Sequence, residues 1–379
     1  MLQKILKTLC LLSSVSTLSL ASDVVKTFDD DNKNKKKFTV KGEFSFDENQ
    51  LKELFGNLHI GEKSNHKKSR NGHGYNLKFS SKEEKEYLAS HSSKVKLFQA
   101  KKEVKLPDEF SLTQYIYKIK DQKDIGACTG FSSAQAAEVR NNFETGRDFK
   151  LKNEDAALTD ITNAIKKSYV QFSPQYIYQK ERLLQGDLLG DDNGSTLTMA
   201  SRVLCQFGVC TEKLNPYQDT LKAVQQNTTL AMDKEALKYT NNDGFSLHMI
   251  AQNQYDIMSA LYANHPIIMG INIYGGDNGF ESESTAEDGI VFTPDTDTDE
   301  LLGGHAVALL GWKRLNDDNH NDELMGVFAN SWGSGWGGTE TILAGKESGG
   351  FFYLPMKDYI LDPNLSDDFH GLGEIDKKN

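Results

Sequence analysis

The sequence is poor in cysteine, in proline and in long apolar runs. It has 4 Cys and 7 Pro in 379 residues. So little cysteine excludes a small scaffold held together by a dense set of disulfides. After the first 21 residues no stretch approaches 18 uninterrupted apolar residues, which excludes a membrane-spanning helix from the remainder. We therefore expect a soluble globular protein, and its length indicates two or three structural units.

The first 21 residues have the pattern of a secretory signal peptide. Lys4 and Lys7 flank a short apolar stretch, and the small residues Ser19 and Ala21 fit cleavage after Ala21. The alternative is a membrane anchor, but the stretch is too short and too polar to span a bilayer. We expect export, a secreted protein, and no membrane contact once residues 1–21 are removed.

Cleavage of the signal would remove Cys10 and leave Cys128, Cys205 and Cys210. An odd number of cysteines in an exported protein leaves at least one thiol unpaired. Cys205 and Cys210 either pair with each other or remain as two buried thiols. In both cases Cys128 is expected to be free.

Charge is unevenly distributed along the chain, whose net charge is −11. Residues 22–104 carry 18 Lys and Arg against 13 Asp and Glu, whereas residues 105–379 carry 23 against 41. A basic segment beside an acidic body predicts mutual attraction; the alternative is an independently solvated tail. The basic segment has no recognised nucleic-acid motif and no interleaved aromatic residues, so no nucleic-acid partner is expected.

Residues 22–104 form a small unit with few apolar residues for a core. The pattern predicts a strand over 37–46, a helix over 47–58, a second helix from Ser80 and a strand over 95–98. His66 and His73 have no acidic or thiol partner at ligand spacing, so no metal site is predicted. A unit this small is marginal alone and is expected to dock on a larger one.

The remaining residues, 105–379, change from a helical to a β-rich pattern. Helical periodicity dominates about 118–235, and short apolar strands separated by turns dominate about 236–360. Helices followed by strands predict an α+β pair of subdomains, with a binding cleft between them. The acidic loop 275–300 contains Asp295, Asp297 and Asp299 but lacks the Gly and Glu of a calcium loop, which favours a solvated loop.

Cys128 stands at the predicted start of a helix, six residues after Gln122. The unpaired backbone N–H groups and the positive dipole end of a helix both stabilise a thiolate there. Because the thiolate is the nucleophilic form of cysteine, the position predicts a nucleophile. The alternative is a small buried hydrophobic residue.

Two later segments supply partners for such a nucleophile. His305 follows Gly303-Gly304 and opens an apolar strand, so it is either a satisfied core histidine or a functional one. Asn330 begins the run Asn-Ser-Trp-Gly-Ser-Gly-Trp-Gly. An Asn carbonyl oxygen can accept from a His N–H and select its tautomer, and Trp332 can shield that bond from water. The alternative is a Gly-rich turn with core aromatic residues.

Gln-x5-Cys, Gly-Gly-His-Ala-Val and Asn-Ser-Trp-Gly-x-Gly-Trp-Gly occur in this order, and the chain resembles the papain-like cysteine peptidases. The resemblance implies a two-subdomain α+β fold with the active site in the cleft. It implies Cys128 as nucleophile, His305 as its acid–base partner, Asn330 as the residue that orients His305, and Gln122 as an oxyanion donor. No cofactor or metal is implied.

Weaker parts of the resemblance concern substrate binding. Gly194 and Ser195 align loosely with a glycine pair that binds substrate backbone, and Gly304 and Trp332 are expected to line the site beside it. Ile125 stands where many members have a disulfide cysteine, and Thr129 stands where most have Trp. These two departures resemble bacterial branches of the family. The spacing of 177 positions from Cys128 to His305 implies insertions, for which the 275–300 loop is a candidate.

The resemblance implies a secreted, monomeric endopeptidase made as a zymogen and acting on polypeptides. Residues 1–21 are the expected signal peptide, 22–104 the propeptide that binds its own cleft in cis, and 105–379 the peptidase domain. An aminopeptidase or transpeptidase on the same fold, and a catalytically silent binding module, are the alternatives.

Overall fold

The computed structural model describes residues 74–92, 94–100, 104–239, 246–277, 279–316 and 322–373, and the backbone of four short strands before residue 45. Those four strands form two antiparallel pairs, β1 with β4 and β2 with β3. They are β1 Leu20–Ala21, β2 Val24–Phe28, β3 Lys36–Val40 and β4 Glu43–Phe44. The predicted strand over 37–46 overlaps β3 and β4. The predicted helix over 47–58, His66 and His73 lie outside the described residues.

The described helices lie mostly in the first two thirds of the chain. They are α1 Lys82–His91, α2 Cys128–Lys152, α3 Leu158–Ser168, α4 Pro174–Gln185, α5 Leu197–Gln206, α6 Leu221–Val224, α7 Leu230–Ala236, α8 Gln254–Tyr262 and α9 Glu283–Asp288. Short 3₁₀ turns lie at Thr113–Tyr115 and Leu237–Tyr239, and a π turn at Met356–Ile360.

The remaining strands build one nine-stranded sheet, in the order β11-β12-β10-β9-β8-β13-β7-β5, with β6 paired to β9. They are β5 Val95–Leu97, β6 Phe110–Ser111, β7 Leu247–Met249, β8 Ile267–Tyr274, β9 Leu301–Leu315, β10 Glu323–Ala329, β11 Gly338–Ile342, β12 Lys346–Pro355 and β13 Ser366–Leu372. Neighbouring strands are antiparallel except for β5 and β7, which run parallel.

Helix α2 is the central helix and is buried from its first residue onward. Residues 128–142 are all buried, because α2 packs between α4 and strand β9. Small residues allow this close packing: a Cβ on Gly130 would lie 2.5 Å from the carbonyl oxygen of Pro174. The first residue of α2 therefore lies at the junction of the helices and the sheet.

Residues 74–111 run across both parts of the molecule. Ser81 caps α1 in a capping box with Glu84, which satisfies two N-terminal backbone groups. The chain then pairs β5 with β7 and β6 with β9. The predicted docking of this small unit on a larger one is thus seen for its described residues.

The predicted α+β fold class is confirmed, with the helices first and the large sheet second. The sheet extends further than predicted, because β13 lies after residue 360. Cys205 and Cys210 are both free thiols and buried, so the disulfide alternative is not realised. None of the described helices combines the length and apolarity needed to cross a bilayer.

Candidate active site

Cys128 is the first residue of α2 and is fully buried. No side chain caps this helix, so its first N–H groups are free to bind other acceptors. Backbone N–H groups of Thr129, Ala306 and Asn76 all bind the sulfur. The thiol therefore lies against the residue that directly follows His305 in β9.

His305 and Asn330 are brought together by neighbouring strands. Strand β10 pairs with β9 and ends at Ala329, which places Asn330 next to His305. The Nε2 atom of His305 donates to the Oδ1 atom of Asn330 at 2.9 Å, and both side chains are buried. Since Oδ1 can only accept, this hydrogen bond selects the tautomer with the proton on Nε2.

Aromatic rings surround the histidine. The ring of Trp332 lies 5.4 Å from that of His305, and Trp336 meets Trp332 edge-on at 5.1 Å. Phe280 contacts His305, Trp332 and Trp336 at centroid distances of 5.9, 5.1 and 5.2 Å. Phe280 comes from the acidic 275–300 loop, so this loop adds a buried ring to the site. The described residues contain no group of acidic, His or Cys side chains able to hold a metal ion.

Gln122 is buried beside the same strand end. Its backbone N–H donates to the Ser331 carbonyl oxygen at 2.8 Å, and its Oε1 atom accepts from the Ser331 hydroxyl. Its Nε2 group donates to the carbonyl oxygens of Ile125 (3.0 Å) and Gly74. One donor of Gln122 is therefore already bound to a carbonyl group from the N-terminal segment.

Residues 74–79 occupy the cleft that contains the predicted substrate-binding residues. The Leu77 N–H donates to the Gly304 carbonyl oxygen at 2.9 Å, and the Lys78 N–H donates to that of Ser195 at 3.0 Å. Gly194 has φ +70, and a Cβ there would lie 1.7 Å from the Asn76 carbonyl oxygen. Gly194, Ser195 and Gly304 thus all contact this segment, whereas Trp332 packs on His305.

The environment of Cys128 differs from the predicted one. The three backbone N–H groups favour the thiolate, but only that of Thr129 comes from the helix start. Burial outweighs them and raises the pKa of the Cys128 thiol to about 11, with the nearby Glu181 carboxyl acting in the same direction. In this covered state the sulfur is held as a thiol.

Glu181 is a buried acid next to the nucleophile that the sequence did not reveal. Its Oε2 atom accepts from the hydroxyl of Thr129, the residue that follows Cys128, at 2.5 Å. Burial raises the pKa of Glu181 to about 8, although the hydroxyl groups of Thr129 and Ser195 oppose the shift. The Thr129 hydroxyl thus links the start of α2 to the buried Glu181 carboxyl of α4.

Which residues of the 22–104 unit occupy the cleft was not predicted, although the sequence carried a signal for them. Tyr75, Leu77 and Phe79 alternate with polar residues, which is the pattern of an extended strand. The local sequence pattern does not predict which surface such a strand pairs with.

Comparisons with known proteins agree with this geometry. Residues 106–346 match the family model described as papain family cysteine protease. A gut-specific cysteine proteinase of Caenorhabditis elegans is 25% identical over 268 residues, which cover 66% of this chain and 72% of that protein. The cysteine endopeptidase RepA of Oryza sativa subsp. japonica is 26% identical over 219 residues, covering 58% of this chain but only 46% of its own length.

A solved structure has a similar fold. The cysteine protease xylellain from Xylella fastidiosa superposes with a TM-score of 0.56 at 20% identity, covering 82% of this chain and 98% of its own. The two chains thus share an architecture along nearly the whole of xylellain.

Proposed function

Because the chain belongs to the papain family of cysteine proteases, we propose that it is a secreted endopeptidase, made as a zymogen, that cleaves peptide bonds through a thioester on Cys128. One observation carries the proposal. The buried hydrogen bond from His305 to Asn330 lies beside Ala306, whose backbone N–H binds the Cys128 sulfur. A nucleophile, an acid–base group and the residue that orients it are therefore adjacent.

Each of these groups has a place in the reaction. His305 takes the proton of the Cys128 thiol, and the resulting thiolate attacks the carbonyl carbon of the scissile bond. The oxyanion is held by Gln122 Nε2 and the Cys128 backbone N–H. His305 delivers a proton to the leaving amine as the C–N bond breaks. Water then attacks the thioester while His305 accepts its proton, which releases the acid product and regenerates Cys128.

Residues 22–104 act as the propeptide in this proposal. The described part of this segment lies along the cleft, and its Gly74 carbonyl oxygen takes up the donor group of Gln122. The group that meets the sulfur is the Asn76 N–H, which is a donor and not an electrophile. Leu77 pairs with Ser195 in a parallel bridge. The segment thus fills the site without presenting a bond to be cut.

Export and the branch of the family rest on sequence features. Residues 1–21 support a signal peptide, and Ile125 and Thr129 support a branch like the bacterial members. Intact-mass analysis of material secreted by the producing cell tests both export and processing. We expect an active form that begins close to residue 105. A fully active secreted chain that still begins at Ser22 would contradict the zymogen proposal.

The catalytic assignment is tested by Cys128→Ala in the full chain, with Cys205→Ala as the matched control because Cys205 is also a buried free thiol. We expect Cys128→Ala to abolish hydrolysis of a peptide with both ends blocked, and Cys205→Ala to retain it. Full activity of Cys128→Ala would refute the assignment. Turnover of free N-termini only would identify an aminopeptidase instead.

A further inference from the structure

The loop that joins Gln122 to Cys128 connects the two residues proposed to hold the oxyanion. Its backbone is irregular, and Lys123 has φ +53, a left-handed conformation that is unfavourable for a lysine. Such a residue keeps its conformation only where neighbouring groups restrain it. The cysteines of the described residues are all free thiols, so among these residues no disulfide provides the restraint.

Two carboxylates bind the backbone of this loop. Asp192 Oδ2 accepts from the Gly126 N–H at 2.6 Å. Asp219 Oδ1 accepts from the N–H groups of Asp124 and Ile125 at 3.1 and 3.2 Å. Hydrogen bonds to a charged acceptor are stronger than those to a neutral one. Asp219 is exposed whereas Asp192 is half-buried, so the Asp192 contact is the one that water weakens less.

The second oxygen of the Asp192 carboxylate is also bound. Its Oδ1 atom accepts from the Tyr178 hydroxyl at 2.5 Å, and Tyr178 is a fully buried residue of α4. The carboxylate is therefore held by the helix through one oxygen and holds the loop through the other. A side chain with both oxygens fixed can keep the Gly126 N–H in one place.

Asp192 belongs at the same time to the wall of the cleft that binds an extended chain. Its backbone carbonyl oxygen accepts from Asn76 Nδ2 at 3.0 Å, and three residues later Ser195 pairs with Leu77. A Cβ on Gly126 would lie 2.7 Å from the same Asn76 Nδ2. The Asp192 side chain thus joins the backbone-binding wall of the cleft to the loop before the nucleophile.

The processed enzyme depends on these carboxylates more than the covered form does. The covering segment adds two hydrogen bonds to the loop: the Gly74 N–H donates to the Lys123 carbonyl oxygen at 2.8 Å, and Gln122 Nε2 donates to the Gly74 carbonyl oxygen. Both are lost with the segment in the proposed processing. The contacts of Asp192 and Asp219 lie within residues 105–379 and remain.

We propose that Asp192 is a positioning residue that holds Gly126 so that the Cys128 N–H and the Gln122 amide stay aligned on the oxyanion. Asp219 supports the same loop from its exposed side. This inference rests on the proposed proteolytic function and adds a residue to its site. Because aligned donors bind the oxyanion of the transition state and not the substrate, the contact should act on kcat more than on KM.

The test is steady-state kinetics of the processed enzyme on a peptide blocked at both ends. We expect Asp192→Ala to lower kcat about tenfold, the factor for one lost charge-assisted hydrogen bond, and to change KM by less than about threefold. Asp192→Asn should restore most of kcat, because its Oδ1 can accept from Gly126 while its amide group donates to the Tyr178 oxygen. Asp191→Ala is the matched control, since Asp191 is adjacent in sequence and exposed.

Alkylation of Cys128 by iodoacetamide separates positioning of the oxyanion donors from damage to the fold. This reaction displaces iodide at a saturated carbon and forms no oxyanion, so its rate should be equal in Asp192→Ala and the wild type. Asp219→Ala, with an expected loss in kcat of about threefold, is the second variant if Asp192→Ala folds poorly.

Two results would overturn the inference while Cys128-dependent cleavage by the wild type stands. One is an unchanged kcat in the folded alanine variant. The other is a loss of kcat matched by an equal change in the alkylation rate, which would indicate a distorted fold. Absence of Cys128-dependent cleavage by the wild type would instead refute the proposed function, and the role of Asp192 with it.

Discussion

Displacing residues 74–79 from the cleft should turn Cys128 from an inert thiol into a reactive one. The perturbation is Leu77→Asp in the full chain, which places a new carboxylate beside Asp367 and repels the segment. With the segment bound, burial raises the pKa of the Cys128 thiol to about 11 from its ordinary value of 9.0. A return to 9.0 alone raises the thiolate fraction near neutral pH about 100-fold, since each pKa unit is a factor of ten.

The assay is the rate of carbamidomethylation by iodoacetamide, read as mass added to the peptide that contains Cys128. Because the thiolate is the reacting form, the rate should rise by about the same factor of 100 in Leu77→Asp. Lys78→Gln is the matched control, because Lys78 is adjacent in sequence but exposed. Increased protease sensitivity of residues 74–79 shows that the segment has been displaced in Leu77→Asp. If the segment is displaced and the rate still equals that of the wild type, the link between burial and reactivity is refuted.

Two further predictions concern groups around the nucleophile. Asn330→Ala should lower kcat/KM about tenfold, because it removes one buried hydrogen bond worth about 1–1.5 kcal/mol. Steady-state kinetics measure this loss. A loss as complete as that of Cys128→Ala would show that Asn330 does more than orient His305. Glu181→Gln should flatten the pH dependence of stability. Burial raises the pKa of Glu181 from 4.5 in the unfolded chain to about 8 in the folded one. The contribution of this side chain to the free energy of unfolding is therefore fully present below about pH 4.5, and it declines by a few kcal/mol in all as the pH rises to 8. Urea unfolding across this range measures the effect, and an unchanged slope in Glu181→Gln would contradict the assignment.

The sequence was sufficient to predict the elements that carry the reaction. The start of α2 at Cys128 and strand β9 at His305 follow from apolar periodicity, which depends on local residue order. The His305–Asn330 contact followed from a motif, since a tight Gly-rich turn leaves few places for the Asn side chain.

Features that depend on distant parts of the chain were not predictable. Thr129 and Glu181 are 52 residues apart and meet only because α2 packs on α4. Lys85 and Asp367 are 282 residues apart, and neither lies in a motif. The opposite charges of residues 22–104 and 105–379 predicted attraction in general. The position of a single ion pair depends on the register of β13 against β8, and this register cannot be predicted from amino-acid composition.

Glycines explain why the same cleft can bind the chain's own segment and a substrate. At Gly194, Gly270 and Gly304 a Cβ would lie 1.7, 2.6 and 2.4 Å from atoms of Asn76 or Leu77. A cleft lined by bare backbone binds the backbone of any extended chain through N–H and carbonyl groups, and those groups are the same in every sequence. Both occupants must therefore compete for the Gly304 and Ser195 carbonyl oxygens. Selectivity between the two occupants has to come from side chains at the border of the cleft, because the backbone groups do not distinguish one extended chain from another.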